Sequence, residues 1–355
     1  MSAVDINARN LGPDTHPIAQ FNRNQTGLNP DLDLFPQLPP GTTAHERGAL
    51  KLVQVADRGM SHQRLCRQDE LEMIWSPIQR FACLKINWGN RDHPEPLVLL
   101  LQFSVHTNQP ETTQYMIEQI RRLSNGRPIL VINSPGMLGS SRLTRAQRHA
   151  IKHGNFDPLA ASLLEAIRVV MEGKRFAIAG FSMGARIALA IAKVSHTAYA
   201  ACDATRVIAV EPPGFDSFTR KEFRQRFAET EGSWLEYYQQ STMDQSLQQC
   251  FGPKMGQLRQ AASFIMALKG DFLGNVALMD GLRVDTCWND LEVLQKHEVP
   301  VTLIQGSSSA ISTRPKHWAP RDGSSLRLII LPGDTHAYGE EGRRIAWHIT
   351  SMLSR

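Results

Sequence analysis

Paired cysteines, long apolar runs and blocks of like charge are all missing from this 355-residue chain. Its five cysteines, Cys66, Cys83, Cys202, Cys250 and Cys287, are an odd number, widely spaced and without a CxxC pair. That excludes a disulfide framework and the familiar zinc spacings. The longest apolar runs, such as residues 97–101, fall far short of a membrane span. The first residues, MSAVDINARNLGPDTHP, carry no basic segment followed by an apolar one, so no secretory signal is visible. The formal net charge is only +5 and is spread along the chain, which leaves no electrostatic footprint for nucleic acid. A soluble, cytoplasmic protein with no nucleic-acid partner and no membrane span is expected.

What is present is an ordinary globular balance, 42% hydrophobic and 21% charged, enough to fill a sizeable core. The length allows two domains, or one large α/β domain with an insertion. Residues 1–42 hold six prolines among polar residues and read as a flexible arm. Residues 43–72 carry a weak helical pattern. From there, short apolar runs alternate with helical stretches. Strands are expected at 78–88, with Phe81 and Cys83 turned inward, and at 97–102, 129–132, 176–179, 207–210, 301–304 and 326–331. Leu159, Leu163, Ile167 and Met171 form one helical stripe, and Ile345, Ile349 and Met352 mark a closing helix. This alternation argues a doubly wound, mostly parallel α/β sheet.

One stretch breaks the rhythm. Residues 214–289 show only helical segments: Phe223 and Phe227 are an i,i+4 pair, Ser233 to Glu236 is a capping box, and Met255, Leu258, Ala262 and Ile265 share a period. Trp234, Tyr237 and Tyr238 fall on one face, as lid core or as the lining of an apolar pocket. The expected division is a core of 43–213 and 297–355 with a helical cap at 214–296. Arg142, Arg145, Arg148 and Lys152 recur at near-helical spacing. They read as a solvated face, or as a contact for an anionic substrate such as a coenzyme A thioester.

The strongest chemical signal is Gly180-Phe181-Ser182-Met183-Gly184, placed between a buried strand and a helix. A G-x-S-x-G turn in that context exposes a strained serine, and the small residues on either side let strand and helix approach closely. The Met183 amide falls at the helix N-terminus, where it can stabilise an oxyanion. The chain here resembles the α/β-hydrolase superfamily, from about residue 78 to the C-terminus. Asn133-Ser-Pro-Gly-Met-Leu-Gly-Ser-Ser141 is similar to that superfamily's D-x-P-G-x-G-x-S loop, with Asn133 in place of the usual Asp. The insertion before the last two strands is similar to its helical cap.

The resemblance implies the remaining site residues. His336, between the last strand and the last helix, occupies the place of the catalytic histidine. The loop after strand 301–304 usually carries the acid, but here it reads Gln305-Gly-Ser-Ser-Ser-Ala310, with Ser309 where the Asp would stand. Some branches place the acid one strand earlier, which points to Glu211; Asp334, two residues before His336, is the other carboxylate considered. The second oxyanion amide is expected after strand 97–102, from Ser104 or Phe103, where relatives have His-Gly. The implied activity is hydrolysis of a small-molecule ester or thioester through Ser182, His336 and Glu211, without metal or organic cofactor. Acyl transfer uses the same machinery, and a non-hydrolytic binding protein on this fold is the alternative.

Overall fold

The runs Leu97–Leu100, Ile129–Ile132 and Phe176–Phe181 bury every residue, as strands covered on both faces must. A computed structural model describes residues 71–353 except 91–92, 94, 103–115, 118–119, 122, 138, 199–202, 228–269, 313–323, 332–335 and 337–341. All described residues belong to one compact unit, 66–234 with 257–355; the other unit, 1–65 with 235–256, lies outside them. The expected arm at 1–42, most of the weakly helical 43–72 and the cap segments between 228 and 269 therefore lie outside the described residues.

The strands are β1 (Leu71–Trp75), β2 (Arg80–Ile86), β3 (Leu97–Leu100), β4 (Ile129–Ile132), β5 (Phe176–Phe181), β6 (Ala204–Val210), β7 (Val301–Gly306) and β8 (Leu326–Leu331). They form one sheet in the order β1-β2-β4-β3-β5-β6-β7-β8. β2 runs antiparallel to β1 and to β4; every other pairing is parallel. The expected mostly parallel, doubly wound sheet is what the chain forms. β1 corrects the weak helical pattern extended to Glu72. In this edge strand Ile74 is buried while Glu72, Met73 and Trp75 are exposed, so no clean alternation marks it. Pairing with β2 decides its conformation.

The helices are α1 (Arg145–Lys152), α2 (Asp157–Met171), α3 (Met183–Thr197), α4 (Cys287–Lys296) and α5 (Gly342–Leu353). Thr144 and Gln147 open α1 with a capping box. Pro158 sits in the first turn of α2, and Glu172 ends that helix in the left-handed region. The stripe Leu159, Leu163, Ile167 and Met171 is buried in the core, as its spacing predicts. α3 is the central helix, packed on β3, β5 and β6 with α2 and α4 beside it. Alanines at 185, 188, 190 and 192 let it lie close to the sheet. α5 lies against β6, where Arg206 donates to the Met352 carbonyl at 3.3 Å. Arg206 alternates with Val207 and Ala209, which join the α2–α3 core, so α5 covers the opposite face. Between β6 and α4 the described residues are helical at 220–227 and 270–282, with no strand among them. No helix among the described residues is long and apolar enough to cross a membrane.

Candidate active site

Strand β5 ends where the elbow begins. Ser182 has φ 54° and ψ −120°, outside the regions an L-residue favours, while its amide still donates to the Val210 carbonyl at 2.9 Å. The turn is tight enough that both flanking glycines are obligatory. A Cβ on Gly180 would fall 2.6 Å from the Ala185 amide nitrogen, and one on Gly184 would fall 2.7 Å from the Leu101 carbonyl oxygen of the neighbouring strand's end. The pentapeptide therefore follows from backbone packing as much as from chemistry. It sets the Ser182 side chain at the carboxyl edge of the sheet and the Met183 amide in the first turn of α3, where the helix supplies no acceptor.

His336, which follows β8 in the chain, meets Ser182. Its Nε2 lies 2.9 Å from Ser182 Oγ, and its Nδ1 lies 3.2 Å from Oε2 of Glu211. All three side chains are buried, Glu211 completely. Glu211 directly follows β6 and adds one rung to the parallel ladder, its amide donating to the Ile304 carbonyl at 2.8 Å. Its φ of 53° then turns the chain, and Pro212 and Pro213 continue the turn. The second carboxylate oxygen accepts from the Gly306 amide at the end of β7. With the imidazole proton on Nδ1, the ring donates to Glu211 and accepts from the serine hydroxyl. An arrangement of this kind can take a proton from the hydroxyl and stabilise the resulting imidazolium.

No protein-family model matches the chain, and no curated protein matches it. Solved structures do. The enol-lactonase from Burkholderia xenovorans LB400 is 14% identical with a TM-score of 0.52, over 80% of this chain and 100% of that one. A thermophilic esterase from Thermogutta terrifontis is also 14% identical at TM-score 0.52, over 80% of this chain and 98% of that one. The alpha/beta hydrolase MGS-M2, from a Medee basin deep-sea metagenome library, is 13% identical at TM-score 0.52 over the same shares. The chain has the α/β-hydrolase fold.

Within the α/β-hydrolase fold, the loop after β7 carries Ser309, whose Oγ accepts from the Ser312 amide at 3.4 Å. It is Glu211, from the preceding strand, that meets His336. Asp334 lies outside the described residues, as do Phe103 and Ser104. Asn133 is buried and donates its side-chain amide to the Ala82 carbonyl at 3.1 Å, a bond an ionised Asp has no proton to make. Ser134 Oγ donates to the Gln102 carbonyl at 3.1 Å, tying this loop to the end of the β3 segment. Arg142, ahead of α1, and Arg145 and Lys152 on it are exposed, whereas Arg148 donates to the Leu143 carbonyl at 2.7 Å.

Sequence reasoning missed three contributors. The Gly306 amide is invisible in a residue list because its side chain carries no signal. Asp271 accepts from the Leu143 amide at 2.7 Å and from Gly274 at 2.9 Å, pinning the helical segment 270–282 to the loop after β4. Gly136 permits that contact, since a Cβ there would lie 2.7 Å from Asp271 Cβ. The third is aromatic: Phe181 and Phe227 lie with ring centroids 5.5 Å and 5.9 Å from the imidazole of His336. The i,i+4 spacing of Phe223 and Phe227 was legible, but its neighbour was not.

Among the described residues, no cluster of His, Cys, Asp and Glu side chains is arranged to hold a metal ion. The thiols of Cys83 and Cys287 are buried, and burial pushes both up to about 12. Neither supplies a thiolate near neutral pH.

Proposed function

We propose that this chain is a serine hydrolase that cleaves a carboxylic ester or thioester by a Ser182–His336–Glu211 triad. The observation that carries this reading is the continuous contact from Ser182 Oγ through both ring nitrogens of His336 to Glu211, at 2.9 Å and 3.2 Å. Ser182 Oγ attacks the substrate carbonyl carbon as its proton passes to His336 Nε2. The carbonyl oxygen becomes an oxyanion, held by the amides of Met183 and Ser104. Collapse breaks the bond to the alcohol or thiol, which leaves with the proton from His336, and the acyl group stays on Ser182. Water, deprotonated by His336, then releases the acid and restores the serine. Glu211 holds the imidazole in one tautomer and offsets its positive charge in both halves of the cycle. An alcohol or amine in place of that water makes the same cycle an acyl transfer.

The residues 43–213 and 297–355 are assigned to the hydrolase core, 214–296 to a cap and 1–42 to an N-terminal arm. Free, buried Cys83 and Cys287 agree with a reducing, cytoplasmic setting.

Fluorophosphonate labelling followed by intact-mass analysis tests the reading. Wild type gains one adduct and Ser182→Ala gains none. A folded wild type that takes up neither a bulky nor a small phosphonate turns the assignment toward a binding protein on this fold.

A further inference from the structure

We infer that Phe227, in the helical residues 220–227, is a positioning residue for His336; this rests on the proposed hydrolase reading and names a part of its machinery. The imidazole makes two polar contacts, one at each ring nitrogen, to Ser182 and Glu211. They leave the tilt of the ring about its Cβ–Cγ bond weakly held, because a torsion of this sp³–sp² type has broad minima. Turnover makes that weakness costly, since Nε2 must exchange the serine for the leaving group without Nδ1 losing Glu211.

Two phenyl rings restrict the tilt. Phe181 lies at 5.5 Å and 30° to the imidazole, and Phe227 at 5.9 Å and 67°, within the range of favourable aromatic pairs. Phe181 belongs to the elbow and cannot be altered apart from it. Phe227 comes from the insertion, and its helix is anchored independently of the site. Thr219 and Glu222 cap its start reciprocally, at 2.7 Å and 3.2 Å. Arg220 pairs with Asp280 at 2.7 Å, and Arg226 donates to the Ala310 carbonyl at 2.7 Å. Within the helix Phe227 meets Phe223 at 5.2 Å, and Phe218, which precedes the helix, stacks on Phe223 at 6.1 Å without touching the imidazole. The imidazole thus rests on Phe227 itself, in a helix fixed at both termini. Through Phe227, the start of the insertion bears directly on the base.

The rate of fluorophosphonate labelling reads this contact, since it depends on Ser182 activation by His336. Phe227→Ala slows labelling about tenfold and Phe227→Leu about threefold, the rate equivalent of losing an aromatic pair wholly or in part. Phe227→Tyr keeps the ring and labels like wild type. Phe218→Ala, which loosens the same helix away from His336, also labels like wild type. Alanine and leucine variants at wild-type rates overturn the inference, as does a Phe218→Ala variant slowed as much as Phe227→Ala. The leucine variant carries the test if alanine unfolds the segment. A second readout needs no activity: ¹⁵N spectra of His-labelled protein report the tautomer. The Nδ1–H form dominates in wild type, and the two nitrogen shifts move toward each other in Phe227→Leu. If wild type takes up no fluorophosphonate, the hydrolase reading fails, and unchanged nitrogen shifts in Phe227→Leu separately overturn the positioning role.

Discussion

The carboxylate of Glu211 is shared between two neighbours: the Gly306 amide donates to one oxygen, and Nδ1 of His336 lies 3.2 Å from the other. Gly306 ends the strand after which the acid of this fold usually stands. The chain thus uses the β7 backbone to orient a carboxylate borrowed from the end of β6.

Glu211→Gln keeps the shape of that side chain but removes its charge and one acceptor. The amide nitrogen must then face either Gly306 or Nδ1 of His336, and both are donors. Fluorophosphonate labelling and any ester hydrolysis are expected to fall by about a hundredfold or more, while the far-UV circular dichroism stays that of wild type. Unchanged labelling would remove Glu211 from the triad.

Gly184→Ala is expected to destabilise the fold, because its Cβ would press against the backbone of residues 100 and 101. Backbone cannot rotate away as a side chain can. A loss of roughly 3 kcal/mol is expected from overpacking of this kind, read as a lowered denaturant midpoint. Gly173→Ala is the contrasting case for space, since nothing lies within 4 Å of its Cβ position, although its φ of +80° adds backbone strain.

Arg186 is buried one turn after Ser182 and pairs with Asp290 of α4, which also meets Lys193 at 2.6 Å. The Arg186 guanidinium donates to Gly154 and Thr286, both at 3.2 Å, and stacks 4.7 Å over Phe156. Asp290→Leu leaves the arginine charge buried without its partner and is expected to lose about 3–5 kcal/mol. Adding Arg186→Met to that variant recovers most of the loss. A double-mutant cycle in urea measures it, and additive losses would show the pair to be uncoupled.

Glu95 gives the chain an acid-sensitive brace at the opposite, amino edge of the sheet. Burial alone would raise its carboxyl, but hydrogen bonds from Thr205 and Arg127 and the charges of Arg206 and Arg127 outweigh that and hold it below the usual 4.5. A carboxyl lowered on folding adds stability that is fully present above its unfolded value. That stability is lost as pH falls through the lower folded value. Glu95→Gln is therefore expected to be less stable than wild type by about 2 kcal/mol at pH 7. The gap closes as pH falls below 4.5, and denaturant melts at several pH values follow it. A gap independent of pH would assign the loss to packing.

Much of the scaffold is legible before any coordinates. The runs at 129–132 and 326–331 become β4 and β8 with the same bounds; β4 is buried along its whole length, whereas β8, at the sheet edge, buries only Leu326 and Leu331. The helical stripe of α2 and the glycine–serine elbow are equally local, written in spacing and in backbone crowding. β1 is not legible, since in this edge strand Glu72, Met73 and Trp75 are exposed around a buried Ile74 and leave no period to read.

Ser182 and His336 each stand in a local context that marks them, the elbow and the loop after the last strand. Glu211 is different: the sequence offers it beside Asp334, with no local context that marks it as the acid. Its claim rests on β6 and β7 being adjacent and in register, which brings the Gly306 amide under the carboxylate. Phe227 likewise signals only that it shares a helix face with Phe223, and says nothing of the imidazole it meets. Periodicity and turn chemistry are properties of neighbours along the chain, so the sequence alone determines the strands from β2 onward, the elbow and their order along the chain. Which carboxylate faces the histidine, and which ring braces it, depends on contacts between residues more than a hundred positions apart, and only the tertiary structure decides those.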